Sequence, residues 1–271
     1  RIGALAGGMR PKALVLHDPA TSELRSGYAD PRDGELACLL KFDGVGDAEG
    51  REQFTTPQPF NRIEAAYAAM ARAAGLEMAD VSVLESAGGY AHLLIRRFDV
   101  TADRQRRHQH TLGGLLHVDY NDAGASSYEE FLRTALRLGL PPAAIIEGYR
   151  RMVFNVVAIN QDDHVKNLSF GMGPDGEWYL TPAYDLTFSQ GGAWTSRHQM
   201  RVADKRSGIT RGDLVAVGRN FGIRHPDGVA DLVIDAVADW PKYAAPTGVP
   251  GERIREIERA LAERRRELGG G

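Results

Sequence analysis

The stretch AINQDDHVKNLSF, residues 158–170, decides how this chain is read. Before it, PPAAIIEGYRRMVFNVVAIN has the pattern of a long apolar helix opened by paired prolines. After it, LSFGMGPDGEWYLTPAYDL predicts a β-hairpin turning at residues 174–176. A polar cluster carrying carboxylates at Asp162 and Asp163 and a carboxamide at Asn167 therefore sits between a helix end and a strand. Further upstream, SSYEEFLRTALRLGL predicts a helix with serine capping candidates, ending at Gly139 before Pro141. Downstream, a loop-rich stretch at 189–208 precedes three more helices in RGDLVAVGRNFGI, GVADLVIDAVADW and ERIREIERALAERRREL.

The first hundred residues read differently. ALAGGMRPKALVL suits two strands flanking a glycine turn, and ELACLLKF a third strand carrying Lys41. Residues 43–60 are rich in Gly, Asp, Gln, Thr and Pro without an apolar period, which predicts a mobile loop. NRIEAAYAAMARAA places Ile63, Tyr67, Met70 and Ala74 three or four apart, a helix stopped by Gly75. VSVLES and YAHLLIRRFDV predict strands around a Gly88 and Gly89 turn. Strands plus one helix, followed by helices broken by one hairpin, make an α+β fold of two unequal lobes. We place the small β-rich lobe at 1–100 and the larger helical lobe at 101–271, with room for a nucleotide in the cleft between them.

Composition narrows the classes. The 271 residues are 43% hydrophobic, enough for a substantial core, and contain no long uninterrupted apolar run or leader pattern, so a soluble cytoplasmic protein without membrane contact is expected. Cys38 is the single cysteine, which excludes an internal disulfide and argues against a cysteine-based zinc site, and its apolar neighbours suggest a buried small hydrophobe. A net charge of −3 offers no global attraction to nucleic acid. The basic stretches RQRRHQH, from Arg104, and ERRREL near the end read as solvated surface, and His108, His110 and His117 as helix-face or core histidines rather than metal ligands.

Asp162 and Asn167 have the interval found in the kinase catalytic loop H-R-D-x-x-x-x-N, and phosphoryl transfer explains the pairing. An aspartate takes the proton of the attacking hydroxyl, and an amide oxygen gives a hard cation a neutral ligand. Asp185, just past the hairpin, adds a second metal ligand. Asp163 is the rival base, one residue away, and the five-residue step favours Asp162. Lys41 on its strand and Glu64 on the next helix complete the kinase elements in kinase order: a lysine for α- and β-phosphate oxygens and a glutamate that holds it. The turn of Gly7, Gly8, Met9, Arg10 and Lys12 can cradle phosphates with backbone N–H groups, although it lacks the spacing G-x-G-x-x-G. Adenine would be read in RRFDV, near Arg96, Arg97 and Phe98.

The phrases GGMRPKA, LLKF, NRIE, RRFD, HTLGGLLHVDY, NQDDHVKN and TPAYDL, from Gly7 to Leu186, resemble the successive motifs of the HipA family, kinase toxins of bacterial type II toxin–antitoxin modules. The loop D-x-H-x-x-N is also similar to that of phosphatidylinositol-type kinases. The resemblance implies a protein-kinase-like fold, ATP and magnesium as cofactors, Asp162 as base, and Asn167 and Asp185 as metal ligands. It implies further nucleotide contacts from His164, Lys166 and Tyr184. A protein substrate follows, with aminoacyl-tRNA synthetases among the family's targets, and a HipB-like antitoxin as partner, which alone would bring the chain to DNA. Family members usually carry a small β-rich region before the glycine turn, so here it is expected to be truncated or a separate polypeptide. Where the family has a regulatory, autophosphorylated serine, Leu5 stands at or next to the position, and residues 1–19 contain no Ser or Thr. A small-molecule or lipid kinase and a catalytically silent antitoxin-binding module are the alternatives.

Overall fold

The computed structural model describes residues 11–48 and 51–269, with backbone only at 46–48 and 51–54. The mostly apolar runs Lys12–His17 (β1) and Leu36–Lys41 (β3) pair as antiparallel strands of one sheet. Leu24–Ser26 (β2), Val81–Glu85 (β6) and Ala91–Arg96 (β7) complete it in the order β2-β1-β3-β7-β6. In this register Lys12 lies opposite Lys41, and Lys41 opposite Leu93. Two cations at one end of a sheet repel each other, so this end requires carboxylates nearby.

The loop expected at 43–60 contains a hairpin, in which Val45–Ala48 (β4) pairs with the largely polar run Arg51–Phe54 (β5). A two-stranded ribbon pairs through backbone groups and needs no apolar period, which is why the sequence pattern does not announce it. The glycine turn of Gly7, Gly8, Met9 and Arg10, the strand expected before it, and Leu5 lie outside the described residues.

Phe60–Ala73 (α1) buries Ile63, Tyr67 and Met70, and Gly75 ends it with φ of 83°. Such a φ is accessible to glycine at no steric cost. This helix shares the main hydrophobic core with Tyr128–Arg137 (α3), Pro142–Val157 (α4), Pro226–Ala238 (α6) and Gly251–Gly269 (α8). Two smaller clusters, around Leu93 and around Cys38 and Leu40, lie against the sheet. Burial pushes the Cys38 thiol up to about 11, as suits an inert packed side chain. The Ser127 hydroxyl caps α3 by accepting from the Glu130 amide, and Thr210 with Asp213 forms a capping box on Arg211–Asn220 (α5). A short helix, Trp240–Ala244 (α7), buries Trp240 completely.

The hairpin Ser169–Met172 (β9) and Trp178–Leu180 (β10) turns where expected, and His108–Thr111 (β8) joins it as a third strand. His108, His110 and His117 lie neither on the helix face nor in the core position expected of them. His108 and His110 belong to β8, and His117 is an exposed left-handed cap after Leu112–Leu116 (α2). HQHT has no apolar alternation, and its strand character comes from pairing with β9. ERRREL is also more than solvated surface, because Arg264 donates from Nε to the Val156 carbonyl at 3.2 Å and from Nη2 to the Ile209 carbonyl at 2.7 Å, pinning α8 to the core.

Candidate active site

Lys41 is 6% exposed, and its ammonium bridges two carboxylates from distant parts of the chain. Glu64 Oε1 lies 2.6 Å away, and Asp185 Oδ1 is in direct contact on the other side. Burial opposes the charge on Lys41, but Asp185 and Glu64 override it and hold its pKa above the ordinary 10.5. Asp185 is likewise opposed by burial and carried below its ordinary 3.8 by Lys41, with smaller contributions from Lys12 and His164. Lys41 and Asp185 are therefore both held in their charged forms at one end of the sheet.

Each member is held by its element. Asn61, 2% exposed, donates from Nδ2 to the carbonyls of Lys41 and Ala91 at 3.2 and 2.9 Å, tying the start of α1 to β3 and β7. Three residues on, Glu64 thereby faces Lys41. The Tyr67 hydroxyl donates to the Ala158 carbonyl at 2.7 Å, fixing the same helix to the end of α4. Backbone bonds between Ala79 and Ala183 and between Ala183 and Glu77 lay the segment after α1 against the one before Asp185. Asp185 itself has φ of 55°, a left-handed conformation that aspartate tolerates.

Ile159, β-branched and 4% exposed, has φ of 53° and turns the chain sharply out of α4 into the loop at 160–167. Strain of this kind, about 1–3 kcal/mol, persists only where the surroundings over-determine it. They do so here. The Asn160 amide donates to the Asn155 carbonyl, and the Ser189 amide to that of Ile159. From the other side, the amides of Leu112 and Gly113 donate to the carbonyls of Leu168 and Val165. A Cβ on Gly113 would come within 2.7 Å of Val165 Cγ2, so glycine lets α2 sit this close to the loop.

The two adjacent aspartates have opposite surroundings. Asp163 is fully buried and accepts from the Tyr128 hydroxyl at 2.9 Å, His198 Nδ1 at 2.8 Å and the Gln199 amide at 2.7 Å. Asp162 keeps 41% of its side chain exposed and accepts from the Trp194 indole N–H at 2.7 Å. Asn167 donates from Nδ2 to the Asp162 carbonyl at 2.9 Å, so its side-chain oxygen remains as the atom able to meet a cation. Asp185, with Oδ1 on Lys41 and 36% of its side chain exposed, retains Oδ2. A neutral oxygen and a carboxylate oxygen suit magnesium, which keeps several other oxygen ligands. No group of three or more His, Cys, Asp or Glu side chains that could cage a metal occurs among the described residues.

Around this centre, His164 packs edge-on to Tyr120 at 5.6 Å, and Lys166 Nζ lies 3.2 Å above the same ring. Tyr184 donates to the Lys166 carbonyl at 2.7 Å and faces Phe98 at 5.7 Å, and burial pushes its phenol up to about 12. Phe98 is half-buried, Arg96 is exposed, and Arg97 is clamped by Asp99 at 2.6 and 3.0 Å. A cleft of about 380 Å³ opens beside residues 96–98, walled by residues 77–80 and Pro182. Asn61, Tyr120, Trp194, His198 and Gln199 are not singled out by the sequence reading. Asn61 opens NRIE and Tyr120 closes HTLGGLLHVDY, whereas Trp194 carries only the signal of an indole in a glycine-containing loop.

The sequence matches the HipA-like C-terminal domain over residues 4–264. The chain belongs to this family. No curated protein matches it. Among solved structures, the HipA toxin of Shewanella oneidensis MR-1, determined with HipB and its operator DNA, matches with a TM-score of 0.68 at 20% identity. That match covers 98% of this chain and 65% of the Shewanella chain, so this HipA-like domain spans less than two thirds of that protein. The proinflammatory kinase CtkA of Helicobacter pylori matches with a TM-score of 0.53 at 11% identity, over 86% of this chain and 88% of that one. Both neighbours have kinase-like α+β folds, and this HipA-like chain shares that fold.

Proposed function

We propose that this HipA-like chain is the core of an ATP- and magnesium-dependent serine/threonine protein kinase, the toxin of a type II toxin–antitoxin module. The observation that carries it is the Lys41 ammonium bridging Glu64 and Asp185, with Asp162 on the loop at 160–167 keeping 41% of its side chain exposed. Lys41 exchanges part of its carboxylate contact for α- and β-phosphate oxygens, and Glu64 keeps the ammonium in place meanwhile. Asp162 accepts the hydroxyl proton as the acceptor oxygen bonds to the γ-phosphorus and the bond to the ADP oxygen breaks. Magnesium bound by the Asn167 and Asp185 side-chain oxygens would neutralise charge on the phosphates. His164, Lys166 and Lys12 add positive or polar groups near them, and Phe98 and Tyr184 with the backbone of 96–98 offer an apolar wall for adenine. The turn of Gly7, Gly8, Met9 and Arg10 closes over the nucleotide in this reading, with 1–100 and 101–271 as the two lobes.

The HipB found with Shewanella HipA supports a HipB-like antitoxin as partner, with DNA reached only through it. The acceptor is a protein hydroxyl, for which the family resemblance suggests an aminoacyl-tRNA synthetase, and the setting is the cytoplasm. No helix among the described residues is long and apolar enough to cross a membrane. Incubation with labelled ATP, magnesium and a bacterial lysate tests the reading. Labelled protein bands that vanish with EDTA are expected. Label confined to lipid or small molecules, or none with any acceptor, overturns it.

A further inference from the structure

The loop that begins at Ser189 folds back over the two aspartates. At its start the Gln161 amide donates to the Ser189 carbonyl at 3.0 Å. At its far end the Gln199 amide donates to the buried Asp163 carboxylate. Trp194 lies between these anchors. Its indole N–H donates to Asp162 Oδ1 at 2.7 Å, and its carbonyl accepts from Gln199 Nε2 at 2.5 Å. The links close a ring from Asp162 through the peptide bond to Asp163, on to Gln199 and Trp194, and back to Asp162. Trp194 is 38% exposed, so full burial does not lock its indole in place. Among the described residues no other side chain donates to the Asp162 carboxylate, since His164 Nε2 is 3.9 Å away and Asn167 bonds the backbone carbonyl.

The geometry points to Trp194 as a positioning residue for phosphoryl transfer, holding the Asp162 carboxylate by Oδ1 so that Oδ2 is presented to the acceptor hydroxyl. This rests on the reading of Asp162 as the base. An exposed aspartate samples several rotamers, whereas a base must keep one lone pair within hydrogen-bond reach of the reacting proton. An indole N–H suits the task because it only donates and cannot compete for that proton. The ring through Gln199 transfers the rigidity of buried Asp163 to the exposed Asp162. The adjacent pair thus divides into an anchor and a base.

The test compares the full chain with Trp194→Phe, which keeps an aromatic ring and removes the N–H. Initial rates of labelled phosphate transfer from ATP into a fixed amount of bacterial lysate are measured at varied ATP in excess magnesium, alongside thermal melting. The maximal rate should fall about tenfold, as for losing one hydrogen bond to a charged group, with the KM for ATP and the melting temperature unchanged. Trp194→Ala should be as slow as Trp194→Phe, because the lost donor is the same. An unchanged rate in Trp194→Phe overturns the inference while leaving the kinase reading intact. A faster rate overturns it in favour of an indole that blocks the acceptor. A raised KM or a lowered melting temperature that accounts for the loss overturns it in favour of a role in nucleotide binding or loop packing. Absence of transfer by the unmodified chain overturns the kinase reading and this inference with it.

Discussion

The Asp163 carboxylate accepts a 2.9 Å hydrogen bond from the buried Tyr128 hydroxyl, and its neighbour Asp162 does not share that environment. Burial, followed by the adjacent Asp163 charge, pushes the Tyr128 phenol well above its ordinary value, so it stays a donor. Asn155 in turn donates to the Tyr128 oxygen at 2.7 Å. Asp163→Asn would set an amide N–H2 against groups that are themselves donors, and should cost about 2–3 kcal/mol in urea unfolding. Asp162→Asn should leave stability within about 0.5 kcal/mol, as for an exposed site, while removing phosphate transfer. Transfer lost in a stable Asp163→Asn and kept in Asp162→Asn would exchange the two roles.

Nucleotide binding should be visible as stabilisation. A ligand at a hundredfold excess over its Kd adds about 2.7 kcal/mol, which for a chain of this size is a rise of about 5 °C or more in Tm. The rise is expected with ATP and magnesium together and should be cancelled by EDTA. Asp185→Ala should lose the metal-dependent part. An equal shift for ATP with and without metal counts against a cation held by Asn167 and Asp185.

How much of this site is legible in the sequence follows from the range of the interactions that build it. Asp162 and Asn167 share one loop, so their interval is preserved in the sequence, and the apolar patterns around Lys41 and Glu64 locate their strand and helix. The step to Asn167 favours Asp162 over Asp163, but the opposite surroundings of the two come from Tyr128, His198 and Gln199, each at least 35 residues away, which no local pattern shows. The direct contact between Lys41 and Asp185 spans 144 residues and requires the fold. Strand β8 and the β4–β5 hairpin escape because they lack an apolar alternation and their order comes from pairing. Trp194 lies in a loop without period, where sequence spacing has nothing to measure.

The charged cluster at Lys41 fixes a pH dependence. Asp185 is held below its ordinary 3.8, so the stability it contributes is present above that pH and is lost as the pH falls through its lower folded value. Lys41→Met removes the largest of the charges that favour ionised Asp185, so its carboxyl shifts upward under the burial that opposes ionisation. The gap in Tm between the unmodified chain and Lys41→Met should be widest near neutrality and narrow as the pH drops below about 4, where carboxylates protonate. Melting curves at a series of pH values measure this. A gap that stays constant from about pH 7 to about pH 3 contradicts a stabilising ion pair at this site.

Glu147 on α4 joins the centre of the core to the end of the Glu64 helix. Its Oε1 accepts from Arg151 Nε at 3.0 Å and from the Glu77 amide at 3.1 Å, and its Oε2 from Arg150 Nη1 at 2.8 Å. Arg150 also donates to the Gly75 carbonyl at 3.1 Å, so one carboxylate organises the turn that follows α1. Arg151 is 2% exposed, its Nη2 has no hydrogen-bond partner, and burial lowers its pKa despite the opposing Glu147 charge. Glu147→Ala would therefore leave a buried guanidinium without its carboxylate, at a cost of about 3–5 kcal/mol. The same substitution in an Arg151→Met background should cost less, because the uncompensated charge is gone and an apolar chain fills its place. Urea unfolding of the four chains gives the coupling directly. Equal losses in both backgrounds would mean that Glu147 acts through the turn at residues 75–77 alone, and not through Arg151.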